Sequence, residues 1–175
     1  MSLEVVFETH STSEDNETGL ATGWLPGRLS AVGRAQAREL GERRRGDGLS
    51  AVFTSDLARA VETGAVAFAG TRLPVFQDAR LRECDYGELN GTAEPLHDRA
   101  AYIDLPYPGG ESWRQAVERV AGFLAELRRE RDGERVLVIG HRATRFALQI
   151  VAEGRKLEDL VDPAFDWRPG WEYVL

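Results

Sequence analysis

The stretch Arg135-Val136-Leu137-Val138-Ile139-Gly140-His141 decides the fold. Its first five residues are rich in β-branched side chains and show no polar alternation, the pattern of a strand buried on both faces. Just upstream, Asp132-Gly133 ends a helix predicted from Glu111 to about Arg131. In that helix Trp113, Ala116, Val117, Val120, Phe123, Leu124 and Leu127 recur at three- and four-residue spacing. Ser112 and Gln115 are spaced to form a capping box at its start. Just downstream, residues from Ala143 to about Ala152 read as another helix.

The same order of elements extends outward. Leu3–Glu8 (LEVVFE) reads as a first strand and the polar run from Ser11 to Gly23 as a loop. Ser30 is placed to cap a helix reaching about Arg45. Ala51–Thr54 reads as a strand, Asp56 to Phe68 as a helix and Pro74–Phe76 as a third strand. Glu172–Leu175 reads as a final edge strand. The middle, Arg80 to Gly110, is dense in Gly and Pro and reads as loops and short helices. Strands alternating with helices predict a three-layer α/β/α sandwich with a mainly parallel sheet. With no internal repeat or low-complexity linker, residues 1–175 read as a single domain with an irregular, lid-like insertion at about 84–110.

The chain has 175 residues, 42% hydrophobic and 29% charged, which excludes a disordered chain. The formal charge of −7 argues against a nucleic-acid or anionic-membrane partner, which basic surface would hold. Of the 22 basic residues only Lys156 is lysine, so a side-chain cation that holds an anion here is expected to be arginine. Cys84 is the only cysteine, which rules out an internal disulfide and a cysteine-built metal site. The N-terminal residues lack the basic and apolar regions of a signal peptide, and no window approaches the roughly 18 apolar residues of a membrane span. A cytoplasmic location is expected. The sequence leaves a homodimer open.

Two of the three histidines follow strands: His10 after Glu8-Thr9, and His141 after Gly140. In an open parallel sheet, the carboxyl ends of the strands line the ligand crevice. Arg59 lies one turn into the helix after the second strand, where free N–H groups favour an anion and a guanidinium fork matches phosphate oxygens. Glu83, between apolar residues and ahead of Gly87, is placed to act as a general acid or base. Together these residues suit phosphoryl transfer: an imidazole nucleophile, cationic stabilisers of the transition state, and a carboxyl group to protonate the leaving oxygen. No metal or other cofactor is required, because the cationic side chains supply the charge.

The motifs resemble those of the histidine phosphatase superfamily, also called phosphoglycerate mutase-like. The resemblance runs over nearly the whole chain. It is carried by Thr9-His10-Ser11 with Asn16 six residues after the histidine, by Gly23-Trp24, and by Leu29-Ser30-Ala31-Val32-Gly33. It continues in Ser55-Asp56-Leu57-Ala58-Arg59-Ala60, in Leu81-Arg82-Glu83-Cys84-Asp85-Tyr86-Gly87, in Pro108-Gly109-Gly110-Glu111-Ser112 and in Val138-Ile139-Gly140-His141. The resemblance implies that His10 is the phosphorylated nucleophile, that Arg59 and His141 bind the phosphoryl group, that Glu83 is the proton donor and that Asn16 lies near the phosphate. It implies a small phosphorylated substrate or inorganic phosphate as ligand.

Three positions depart from the family pattern. Thr9 stands where the family has Arg, Ser11 where it has Gly, and Arg142 where it usually has Gly. A charged hydrogen bond to phosphate contributes roughly 1.5–3 kcal/mol, so the loss of the first Arg sets two readings against each other. In one, Arg142 restores part of the charge, with Arg145 and Arg28 as weaker candidates, and the chain is a phosphomonoesterase. In the other it is a phosphate-binding or regulatory pseudophosphatase. A mutase is a further alternative, disfavoured by the short middle segment. Tyr86, Arg99, Tyr102 and Trp113 are candidates for substrate choice. His97 reads as a solvated loop residue, and Trp167, Trp171 and Tyr173 read as packing.

Overall fold

A computed structural model describes residues 2–175. The strands are β1 (Glu4–Thr9), β2 (Leu20–Ala21), β3 (Ala51–Thr54), β4 (Val75–Gln77), β5 (Thr92–Ala93), β6 (Arg135–Gly140) and β7 (Trp171–Val174). The α-helices are α1 (Glu14–Thr18), α2 (Ala31–Arg44), α3 (Ala58–Ala67), α4 (Trp113–Glu130) and α5 (Arg142–Glu153). Five strands form the main sheet in the order β4-β3-β6-β1-β7. The first four run parallel, and β7 closes the edge antiparallel to β1. The expected α/β/α sandwich is therefore the observed fold.

Alternation along the strands explains the two outer layers. Val5, Phe7, Ala51, Phe53, Val136 and Val138 face the larger core cluster, which includes residues of α4 and α5. Val6, Val52, Leu137 and Ile139 face the smaller cluster, with Leu40 of α2 and Ala67 of α3. Because both faces are covered, β6 is apolar throughout its interior, as RVLVI suggests. Helix α4 buries the seven residues of its predicted stripe. Each large aliphatic or aromatic side chain so buried contributes about 1.5–3 kcal/mol. Ser112 and Gln115 close the capping box, and Ser30 caps α2 by accepting from the Gly33 amide.

The run read as a loop from Ser11 to Gly23 contains α1 and β2. Ser13 and Asn16 form a capping box, Gly19 ends α1 in the left-handed conformation, and β2 pairs with β5. A five-residue helix is too short to leave a periodic signature, so its caps alone define it. Helix α3 begins at Ala58, two residues later than expected. His97 is buried rather than solvated. Its Nε2 lies 3.0 Å from the Thr92 hydroxyl, and its ring packs on Tyr86 and Tyr107.

Candidate active site

Three adjacent strands end side by side. Thr9 of β1 is in register with Gly140 of β6, and Ile139 of β6 with Thr54 of β3. The next residue on each strand is therefore His10, His141 and Ser55, all at the carboxyl edge of the sheet. The His10 amide donates to the Gly140 carbonyl at 3.0 Å, and the two imidazole centroids are 5.1 Å apart. Gly140 is required by closeness: a Cβ there would lie 2.4 Å from the Thr144 hydroxyl, which accepts from the His141 amide.

Each imidazole is oriented by one partner. Nδ1 of His10 lies 2.8 Å from the Ser11 carbonyl oxygen. A carbonyl only accepts, so Nδ1 carries the proton and Nε2 keeps its lone pair. Burial, reinforced by the nearby Arg59 guanidinium, lowers the His10 pKa to about 3. Burial, with Arg59 and His10 beside it, also holds His141 well below the ordinary histidine value. Nε2 of His141 is 2.6 Å from the Ser55 hydroxyl, while its buried Nδ1 has no partner among the described residues. A hydroxyl that donates to Nε2 leaves Nδ1–H as an unused donor.

Arg59 is 2% exposed and lies at the floor of the site. Its Nη2 donates to the Gly23 carbonyl at 2.8 Å and its Nη1 to the Leu25 carbonyl at 3.1 Å. Burial opposes its charge and Glu83 favours it. Thr63, one turn further along α3, donates to the Arg59 carbonyl and accepts from the Ser11 amide, which ties α3 to the His10 loop.

Glu83 approaches from the other side. One carboxylate oxygen accepts from the Cys84 and Ala143 amides at 2.9 and 3.0 Å, and the other from the Arg142 amide at 3.2 Å. The carboxylate thus sits against the N-terminus of α5, where free amides and the helix dipole favour an anion. Two residues that sequence reasoning did not single out hold its main chain. The Trp24 indole N–H donates to the Glu83 carbonyl at 2.7 Å, and Arg119 of α4 donates to the carbonyls of Arg80, Arg82 and Glu83.

One cavity of about 530 Å³ brings the candidates together. Thr9, His10, Ser11, Asn16, Arg59, Glu83 and Arg142 all line it, and His141 packs directly beneath His10. The Asn16 carboxamide oxygen is already occupied by the Ser13 amide, which leaves its NH₂ group as donor. Arg142 reaches the cavity and also pairs with Glu94 at 3.3 Å. Arg28 lies instead at the surface in a pair with Glu14, and the Arg145 guanidinium stacks over Trp171 at 4.2 Å.

Of the four candidates for substrate choice, only Tyr86 lines the cavity. Trp113 is fully buried in the core, Tyr102 stacks on Tyr107, and Arg99 is bonded to the Val161 carbonyl and Glu94. Trp167 corrects the packing expectation in the opposite direction. It is 57% exposed and lines the cavity with Phe165, whereas Trp171 and Tyr173 do pack. Glu8 and Arg43 also line the cavity and were not anticipated. The only sequence signal for them is Glu8, a carboxylate directly after the apolar run Val5-Val6-Phe7 of β1.

Known proteins share this chain's family pattern and fold. Residues 6–166 match the histidine phosphatase superfamily, branch 1. A 2,3-bisphosphoglycerate-dependent phosphoglycerate mutase of Methylobacterium sp. (strain 4-46) is 35% identical over 173 residues, covering 89% of this chain and 83% of that protein. YhfR of Bacillus stearothermophilus shares the fold with a TM-score of 0.85 at 24% identity, over 97% of this chain and 90% of its own. The mycobacterial glucosyl-3-phosphoglycerate phosphatase Rv2419c superposes with a TM-score of 0.78 at 25% identity, over 90% of this chain and 85% of its own.

Proposed function

The chain belongs to the histidine phosphatase superfamily, and on that premise we propose that it is a metal-independent phosphomonoesterase acting on a small phosphorylated metabolite through a phosphohistidine. The observation that carries this reading is the His10 imidazole. It is neutral, faces the cavity and has its proton held on Nδ1 by the Ser11 carbonyl.

In this reading Nε2 of His10 attacks phosphorus and the ester P–O bond breaks. Glu83, protonated when the negative phosphate is bound beside it, gives its proton to the leaving oxygen. Arg59 and the free Nδ1–H of His141 hold the phosphoryl oxygens, with Asn16, Thr9 and Ser11 beside them. Water then attacks the phosphohistidine, Glu83 takes the proton, and phosphate leaves with His10 restored. Thr9 provides no cation where the family has Arg. Arg142 supplies part of that charge from the α5 side, next to the carbonyl end of β6 on which Thr9 pairs.

Hydrolysis of 4-nitrophenyl phosphate in EDTA tests the proposal. Turnover is expected to survive EDTA and to vanish in His10→Ala. Unchanged activity in His10→Ala sinks the phosphohistidine mechanism. The replacements at positions 9 and 11 favour a second reading, a phosphate-binding pseudophosphatase. That reading predicts no turnover but thermal stabilisation by phosphate.

A further inference from the structure

The cavity extends beyond the residues that the proposed chemistry uses. It continues from His10 past Glu8 along α2 to Arg43, and Trp167 lies over its outer part. Glu8 lies on β1 two residues before His10, and both line the cavity.

Glu8 is almost fully buried and faces two guanidinium groups that differ in how they are held. Arg44 is fully engaged. Its Nε donates to Glu8 at 2.9 Å, its Nη1 to Asp47 at 3.0 Å and its Nη2 to the Pro169 carbonyl at 3.1 Å. Arg43 donates to Glu8 from Nη2 alone, through two long bonds of 3.3 and 3.2 Å. Its Nε and Nη1 have no hydrogen-bond partner among the described residues, its side chain is 31% exposed, and it lines the cavity. Arg44 thus ties Pro169 to α2, while Arg43 keeps donors that no described residue uses and lines the cavity.

We infer that Arg43 is a substrate-recognition residue, positioned by Glu8, and that it binds a second anionic group of an extended phosphomonoester. This rests on the phosphatase reading, which puts the phosphoryl group at His10. A guanidinium with free donors matches a carboxylate or a further phosphate. The same cavity of about 530 Å³ is lined by His10, Arg59 and Arg43.

Two isosteric probes isolate the charge: 4-carboxyphenyl phosphate and its neutral counterpart 4-carbamoylphenyl phosphate. Their binding is measured by calorimetry in a His10→Ala background, where no covalent step intervenes. The carboxylate ester is expected to bind about tenfold more tightly, as one charged hydrogen bond allows. The preference should disappear in Arg43→Gln and return in part in Arg43→Lys. Equal binding of the two esters, binding of neither, or a preference that survives Arg43→Gln overturns the inference. Because no turnover is needed, failure of the phosphatase reading shows separately, as absence of hydrolysis of either ester by the unsubstituted protein.

Discussion

Arg59 at the floor of the cavity and Arg43 and Arg142 at its rim carry the same charge on different footings. Arg59 is 2% exposed, and two backbone carbonyls fix its fork. Arg142 and Arg43 each hold a single carboxylate through bonds of 3.2–3.3 Å. A buried, fully oriented cation can meet developing charge without reorganising. A half-free one can adapt to what enters. In the proposed chemistry the floor would meet a fixed transition state and the rim would discriminate among substrates. Substitutions in the two regions should separate along that line, with kcat falling for the floor and KM or binding changing for the rim.

After His10, the largest effect is expected at Glu83. Glu83→Gln removes the proton donor and turns an NH₂ group towards amides that now donate to a carboxylate. An alkyl phosphate should lose about 10²–10⁴ in kcat. The loss should shrink for 4-nitrophenyl phosphate, whose leaving oxygen needs little protonation. An equal loss on both substrates would mean that Glu83 acts only as a structural anchor. Arg59→Ala should cost about 10²–10³ in kcat, as for other donors aimed at transition-state charge. It also leaves the Gly23 and Leu25 carbonyls without their donor, so thermal unfolding should be followed in parallel. A change confined to KM would place Arg59 with the rim and dissolve the contrast.

The floor also has a pH signature. A folded-state His10 pKa of about 3, below the ordinary value of 6.5, means that the unfolded chain takes up a proton that the folded one refuses. Stability from this group is therefore fully present above about pH 6.5 and declines as pH falls towards 3. Between pH 7 and 4 the loss is about 3 kcal/mol for this one group. His141 is shifted in the same direction and adds to the slope. Thermal melts at the two pH values should therefore fall less in His10→Asn than in the unsubstituted protein. Equal falls would mean that the imidazole reaches solvent in the folded state.

Local chemistry made the sheet and the floor readable from sequence. Apolar runs without alternation mark strands covered on both faces, and Val6 and Phe7 do face opposite core clusters. Histidines directly after two such runs fall at the carboxyl edge because a parallel sheet puts its strand ends together. The rim had no comparable signal. Arg43 lies near the end of a helix with many arginines, and nothing local separates it from Arg44 or Arg45. Trp167 belongs to a segment that reaches the cavity only because β7 returns antiparallel beside β1. His97 looked solvated because burial in the middle segment depends on Tyr86 and Tyr107, which come from opposite ends of that segment.

Arg142 is the smallest and sharpest test of the comparison. It begins α5, so its backbone amide serves Glu83 while its side chain reaches towards Glu94. Arg142→Ala keeps that amide and a favourable helix residue, and removes only the guanidinium. Inhibition by inorganic phosphate should weaken by about tenfold, the scale of one charged hydrogen bond, with kcat reduced less than KM rises. If phosphate inhibition does not change, the Glu94 pair keeps the guanidinium from the anion. Arg142 would then contribute its amide alone, and Thr9 would have no cationic side chain beside it on the α5 side. A drop in kcat as large as that of Arg59→Ala would instead move Arg142 from the rim to the floor.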